Sequence, residues 1–244
     1  MNYRFVERIS IIVIIFAGLS CTRQVPVFGE NGMVVSTSRH ASQVGVDILK
    51  EGGNAVDAAV AVGFALAVTS SSNGNIGGGG FMVSKLSSGK IFTLDYREMA
   101  PSNAERDMYL DTDKNIIKDK SRKTHFASGV PGSVDGLLKA WRDYGSGNIS
   151  RVQLLAPAIS LAEEGFNLSE YEADRFNNNK DRLSQHSETK RIFTRDDREW
   201  KEGDIFVQEN LANTLKRISN EGRNGFYKGK TAQLIVEEMK NVDG

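Results

Sequence analysis

Cysteine is nearly absent, with one residue, Cys21, in a chain of 244. A single thiol excludes an internal disulfide framework, and it excludes a cysteine-based zinc or iron–sulfur centre supplied by this chain alone. Charge of one sign is lacking too, because 31 Lys and Arg balance 31 Asp and Glu. That excludes a protein that holds nucleic acid through a strong overall positive field. Histidine is sparse: His40, His125 and His186 stand far apart, with no H-E-x-x-H or paired spacing. Metal ligation and a Ser/His triad therefore have no support. No apolar run reaches the roughly 20 residues that span a bilayer comfortably. Proline is scarce at 4 while glycine is plentiful at 24. The apolar share of 39% and charged share of 25% are those of an ordinary protein with a packed core. The length accommodates one large domain or two small ones.

What is there begins with an address. Arg4 and Arg8 precede the greasy run Ile9–Ala17, and Gly18-Leu19-Ser20-Cys21 follows. A basic start, a short apolar stretch and small residues predict a signal peptide over residues 1–21. Cys21 sits where a bacterial lipoprotein carries its acylated cysteine, although Gly18 takes the place of the usual larger aliphatic residue. Ordinary cleavage near Ser20 is the equal alternative. Both readings expect export, to the periplasm or to a lipid anchor at Cys21 that attaches the protein to the cell envelope.

Along the mature chain, the β-branched run Met33–Ser36 predicts a strand. Ser38 or Thr37 then caps a helix whose apolar face is Ala41, Val44, Ile48 and Leu49, ended by Gly52-Gly53. Asn54 caps a second helix, with Asp57 in its first turn. That helix is apolar all round through Val56, Val60, Phe64, Ala67 and Val68, so it is expected to be the buried centre of the fold. Phe81-Met82-Val83 and Ile91–Tyr96 predict a hairpin turning at Ser87–Lys90. Residues 101–133 carry few periodic signals. Helical stripes follow at Val134/Leu137/Leu138/Trp141, at Leu154–Ala162, at Leu211/Leu215/Ile218 and at Leu234–Met239. The stretch after about residue 170 is highly charged. The pattern is mixed α/β, with residues 22–133 supplying sheet and central helix and residues 134–244 mainly helical. The chain stops directly after a helix with no closing strand, which is expected of a truncation.

Three features are candidates for chemistry. Gly77–Gly80 could cradle a ligand, but Phe81-Met82 replace the Lys-Ser/Thr of a phosphate loop and no dinucleotide register fits. A sharp turn at a crowded junction is the favoured reading. The basic run Lys118–Lys123 lacks interleaved aromatics and reads as a solvated loop. Arg97 lies at the end of a strand expected to enter the core, where a guanidinium needs a partner. A carboxylate ligand and a structural pair with Asp95 or Glu98 are both open at this point.

Several motifs then occur in order. They are Gln43–Ala61 (QVGVDILKEGGNAVDAAVA), Gly74–Met82 (GNIGGGGFM), Arg97–Pro101 (REMAP), Ser128–Gly132 (SGVPG) and Phe226–Gly229 (FYKG). Together they resemble the γ-glutamyltranspeptidase family over about residues 30–240. The resemblance implies an N-terminal-nucleophile (Ntn) hydrolase with an αββα sandwich, incomplete in this chain, and places residues 22–244 in the N-terminal portion of the large subunit. In that family a precursor cleaves itself into two subunits. The Thr opening the small subunit attacks the γ-glutamyl amide of glutathione, and the acyl group passes to water or an amino acid. The implied partners are glutathione, related γ-glutamyl compounds and the small subunit, with no nucleic acid, metal or cofactor. By the match at Arg97–Pro101, Arg97 clamps the substrate's α-carboxylate. No catalytic residue is assigned within this chain. Alternatives are a same-family acylase and a catalytically silent exported protein. One departure stands out: Ser70–Asn73 occupies the place of the family's usual His-Pro type segment.

Overall fold

Ser38 and Asn54 start the two helices on which the rest of the fold packs. In the computed structural model, which describes residues 26–241, Ser38 accepts the Ala41 N–H at 3.4 Å and opens α1 (Arg39–Lys50). Asn54 Oδ1 accepts from the N–H groups of Val56 and Asp57 at 2.8 and 3.0 Å, opening α2 (Ala55–Thr69). The Asp57 carboxylate answers by accepting the Asn54 N–H at 2.9 Å, completing a capping box. Gly52, at φ +92°, ends the preceding α1 in the conformation glycine tolerates best. The predicted signal peptide, with Cys21, lies outside the described residues.

Val60, Ala61, Phe64, Ala65 and Val68 of α2 are wholly buried. A helix without a polar face must be covered all round, and α2 packs against α1 and two later helices. The central-helix expectation is met. The strand expected at Met33–Ser36 is not: none of these residues belongs to a strand, and Val35 is 83% exposed. β-branched side chains favour extended backbone, but a strand exists only with a hydrogen-bonded neighbour. Among the described residues none lies beside this segment.

β1 (Phe81–Lys85) and β2 (Ile91–Asp95) pair antiparallel with Val83 opposite Thr93. Gly89 (φ +84°) makes the turn, and Met82, Phe92 and Leu94 face the helices. The Phe92 ring stacks on Tyr144 with centroids 3.7 Å apart. Residues 101–132 are largely turns, with a short α3 (Lys120–Lys123) and a 3₁₀ turn at His125–Ala127. Then come α4 (Ser133–Tyr144), burying Val134, Leu137 and Leu138, and α5 (Arg151–Glu163), burying Leu154, Leu155, Ala158 and Ala162.

The charged stretch holds more structure than its pattern suggested. It contains β3 (Phe166–Asn167), α6 (Glu170–Asn178), α7 (Lys180–Leu183), α8 (Ser187–Phe193) and β4 (Ile205–Phe206), with β3 and β4 antiparallel. Phe176, Phe193, Trp200 and Phe206 form an aromatic cluster with centroids 5.1–6.0 Å apart, leaving the charges outside. Beside it Asp204 takes both guanidinium nitrogens of Arg198, at 2.6 and 2.8 Å, which holds its carboxyl below the usual range. The chain continues through α9 (Glu209–Glu221), α10 (Asn224–Tyr227) and α11 (Gly229–Asn241). Mixed helix and strand is thus the observed class. The described residues contribute two strand pairs to it.

Candidate functional site

The hairpin delivers Arg97 to a platform built from glycines. Beyond Phe81, Gly80 and Tyr96 extend the ladder by one rung, exchanging N–H···O bonds of 3.0 and 3.3 Å, and Arg97 follows at once. None of Gly77–Gly80 has positive φ, so conformational freedom is not why they are glycine. Space is the reason at Gly79, where a Cβ would stand 2.6 Å from the Tyr96 carbonyl oxygen and 2.7 Å from the Arg97 Cα. The crowded-junction reading of the run is what the geometry shows. Across the platform, Gly132 packs on the Tyr96 and Arg97 carbonyls and leaves no room for a Cβ. Val130 and Met99 exchange two further bonds, at 2.8 and 3.1 Å. The Gly78 carbonyl accepts from the N–H groups of Gly132 and Ser133 at 2.7 and 2.9 Å. The backbone of residues 96–99 is therefore gripped from both sides, and a rigid backbone is what a binding side chain needs.

Arg97 itself is exposed, which corrects the expectation of a core guanidinium: the strand ends at Asp95 and the chain then turns along the surface. Neither structural pair forms. The Asp95 carboxylate accepts the backbone N–H of Arg97 at 3.0 Å, and among the described residues the Arg97 guanidinium has no ion-pair partner.

Arg97 lines a cleft of about 280 Å³ together with Tyr96, Pro131, Asp135, Arg223 and Tyr227. Two other cations reach the cleft, and both are engaged: Arg223 on Asp135 at 2.8 Å and Lys139 on Asp143 at 2.6 Å. Tyr96 is half-buried, and burial pushes its phenol up, so it stays neutral beside Arg97. A cleft with one uncommitted guanidinium on a fixed backbone is suited to an incoming carboxylate, which matches the guanidinium fork through two hydrogen bonds.

The histidines do not gather at this cleft. His40 packs on Phe166 at 5.3 Å, while His125 faces Glu238 at 3.3 Å and His186 edge-on at 6.1 Å. Among the described residues, no group of three or more His, Cys, Asp or Glu is placed to hold a metal ion. Ser70–Asn73, the departing segment, is a largely exposed turn after α2. Sequence reasoning missed Tyr96, Gly132 and Tyr227 as parts of the site. The FYKG motif marked Tyr227 without giving it a role.

The gamma-glutamyltranspeptidase family model matches residues 41–244. This chain belongs to the gamma-glutamyltranspeptidase family. It is 47% identical over 222 residues to the glutathione hydrolase proenzyme of Pseudomonas sp. (strain A14), covering 91% of this chain and 38% of that protein. The glutathione hydrolase proenzyme of Escherichia coli (strain K12) is 46% identical over 220 residues, covering 90% of this chain and 38% of that protein. The crystal structure of Helicobacter pylori gamma-glutamyltranspeptidase superposes with a TM-score of 0.86 at 42% identity, over 90% of this chain and 63% of that one. This chain thus spans about two fifths of the length of the curated relatives it matches. Its mixed helix and strand content and this superposition bear out the Ntn-hydrolase fold class.

Proposed function

We propose that this chain is the substrate-carboxylate-binding part of a glutathione hydrolase, or γ-glutamyltransferase, and that Arg97 holds the α-carboxylate of the γ-glutamyl group. One observation carries the reading: Arg97 is fixed at a cleft whose other cations are paired, and it is itself unpaired among the described residues. The relatives named glutathione hydrolase proenzyme support the substrate class. A γ-glutamyl substrate presents its α-carboxylate several bonds from the amide that is broken. Recognition at Arg97 is therefore separate in space from bond cleavage, which falls to the Thr nucleophile of the small subunit. Arg97 supplies binding energy that the bound substrate and its transition state share, so its contribution is read in KM. The acyl-enzyme is then resolved by water or an amino acid, and the threonine's own α-amine serves as base.

The test is turnover of a γ-glutamyl anilide by the purified full-length proenzyme. Release of the aniline after self-cleavage is expected, whereas residues 22–244 alone should show none. A self-cleaved enzyme that leaves γ-glutamyl anilides untouched would sink the reading, as would turnover by residues 22–244.

The protein is further proposed to be exported. The support is the N-terminal sequence, in which Arg4 and Arg8 precede Ile9–Ala17. Mass spectrometry of the mature N-terminus, taken from the cell-envelope fraction, tests this: a diacylglyceryl Cys21 marks a lipid anchor, an unmodified terminus near Cys21 marks ordinary cleavage, and an intact Met1 contradicts a cleaved signal peptide.

A further inference from the structure

The hydroxyl of Tyr227 joins segments 92 and 96 residues away in the chain. It donates to the Pro131 carbonyl at 2.8 Å and accepts the backbone N–H of Asp135 at 3.3 Å. Both contacts matter to α4. The first N–H groups of a helix lack partners inside it, and Gly132, at the capping position, has no side chain to offer. The cap is assembled from elsewhere instead: Gly78 O takes the N–H groups of Gly132 and Ser133, and Tyr227 takes that of Asp135.

Pro131 stands between the two residues that grip the Arg97 backbone. Val130 on one side pairs with Met99, and Gly132 on the other packs on the Tyr96 and Arg97 carbonyls. The Tyr227 ring is in turn held on two sides. The Arg223 guanidinium lies 4.6 Å from its centroid while bonding Asp135 at 2.8 Å, and Phe226 meets it edge-on at 5.0 Å. Burial pushes the Tyr227 phenol up, so the hydroxyl keeps the proton it donates.

We propose that Tyr227 is a positioning residue: its hydroxyl locks the 130–132 segment to the start of α4 and so fixes the direction from which Arg97 meets the substrate carboxylate. The proposal rests on the reading of Arg97 given above. Tyr227 is assigned no contact with a reacting atom. Its loss would act on substrate binding through Arg97 and leave the chemistry at the amide alone.

The experiment uses the full-length proenzyme as wild type, Tyr227→Phe, Arg97→Gln and the double variant. Each is assayed on a γ-glutamyl anilide and on the 4-aminobutyryl anilide, which lacks the α-carboxylate. Tyr227→Phe removes one hydroxyl and keeps the ring. On the γ-glutamyl anilide it should raise KM about 3- to 10-fold with kcat changed less than about twofold, the loss of one positioning hydrogen bond. On the 4-aminobutyryl anilide, and in the Arg97→Gln background, its effect should fall below about twofold. Equal losses on both substrates, or the full KM rise persisting without Arg97, would overturn the proposal. The wild-type and Arg97→Gln rates test the underlying reading separately, because they do not involve Tyr227. Should Tyr227→Phe fail to mature, Arg223→Gln supplies the same comparison from a more exposed side chain, with an expected KM rise of about 2- to 3-fold confined to the γ-glutamyl anilide. An unchanged KM in that variant, or a rise shared by both substrates, would equally overturn the proposal.

Discussion

Arg97→Gln in the full-length proenzyme is expected to lower kcat/KM for γ-glutamyl anilides by roughly 10- to 150-fold. That is the kinetic equivalent of about 1.5–3 kcal/mol, the range for hydrogen bonds to a charged group. The neutral amide keeps the reach of a polar side chain but loses both the charge and the two-pronged donor. Arg97→Lys keeps the charge and loses the fork, so its loss should be smaller than that of Gln. Self-cleavage should proceed in both variants. The guanidinium is exposed and forms no ion pair among the described residues, so its removal leaves no buried carboxylate stranded. Initial rates together with the yield of processed subunits, read on a denaturing gel, check the expectation. Blocked maturation in Arg97→Gln would show that Arg97 is structural.

Phe64→Ala should cost about 3–5 kcal/mol of stability, the usual price of emptying a wholly buried phenyl site. Phe64 is 0% exposed on the helix that the other elements cover, so the vacated volume has no route to solvent. Surface truncation provides the contrast: Val35, at 83% exposed, should lose less than about 0.5 kcal/mol on becoming Ala. The measurement is the denaturant midpoint of each variant against wild type. A Phe64→Ala shift no larger than that of Val35→Ala would contradict the placement of α2 at the centre.

The elements with local punctuation were legible in the sequence. Ser38, Asn54 with Asp57, and Gly52 lie within a turn of the helix ends they define, so α1 and α2 read correctly. The hairpin read correctly for the same reason, with Gly89 at its turn. Met33–Ser36 misled because β-branched composition reports preference, and a strand also needs a neighbour. The 164–208 segment misled in the opposite sense. Its aromatics are spaced irregularly, and they converge through two short strands and three short helices that no single period describes.

Legibility was uneven at the site as well. The identity of Arg97 stood out through its motif, but its surroundings did not. The contacts that hold it run between Gly78 and Gly132, Met99 and Val130, and Pro131 and Tyr227, all distant in the chain. Spacing arguments see pairs within a few residues, and these links exist only once the chain has folded. The expected core burial of Arg97 failed for a related reason: a strand's apolar pattern says which face is covered, and says nothing about where the chain turns after its last residue.

The central claim is that Arg97 meets a substrate α-carboxylate, and one thermodynamic cycle tests it most directly. Wild type and Arg97→Gln are each assayed on the γ-glutamyl anilide and on the 4-aminobutyryl anilide, giving four values of kcat/KM. A coupled pair predicts a loss of at least about tenfold on the first substrate and less than about twofold on the second, since no carboxylate remains there to lose. Equal losses on the two substrates would show that Arg97 does not recognise the carboxylate, and the account would fail.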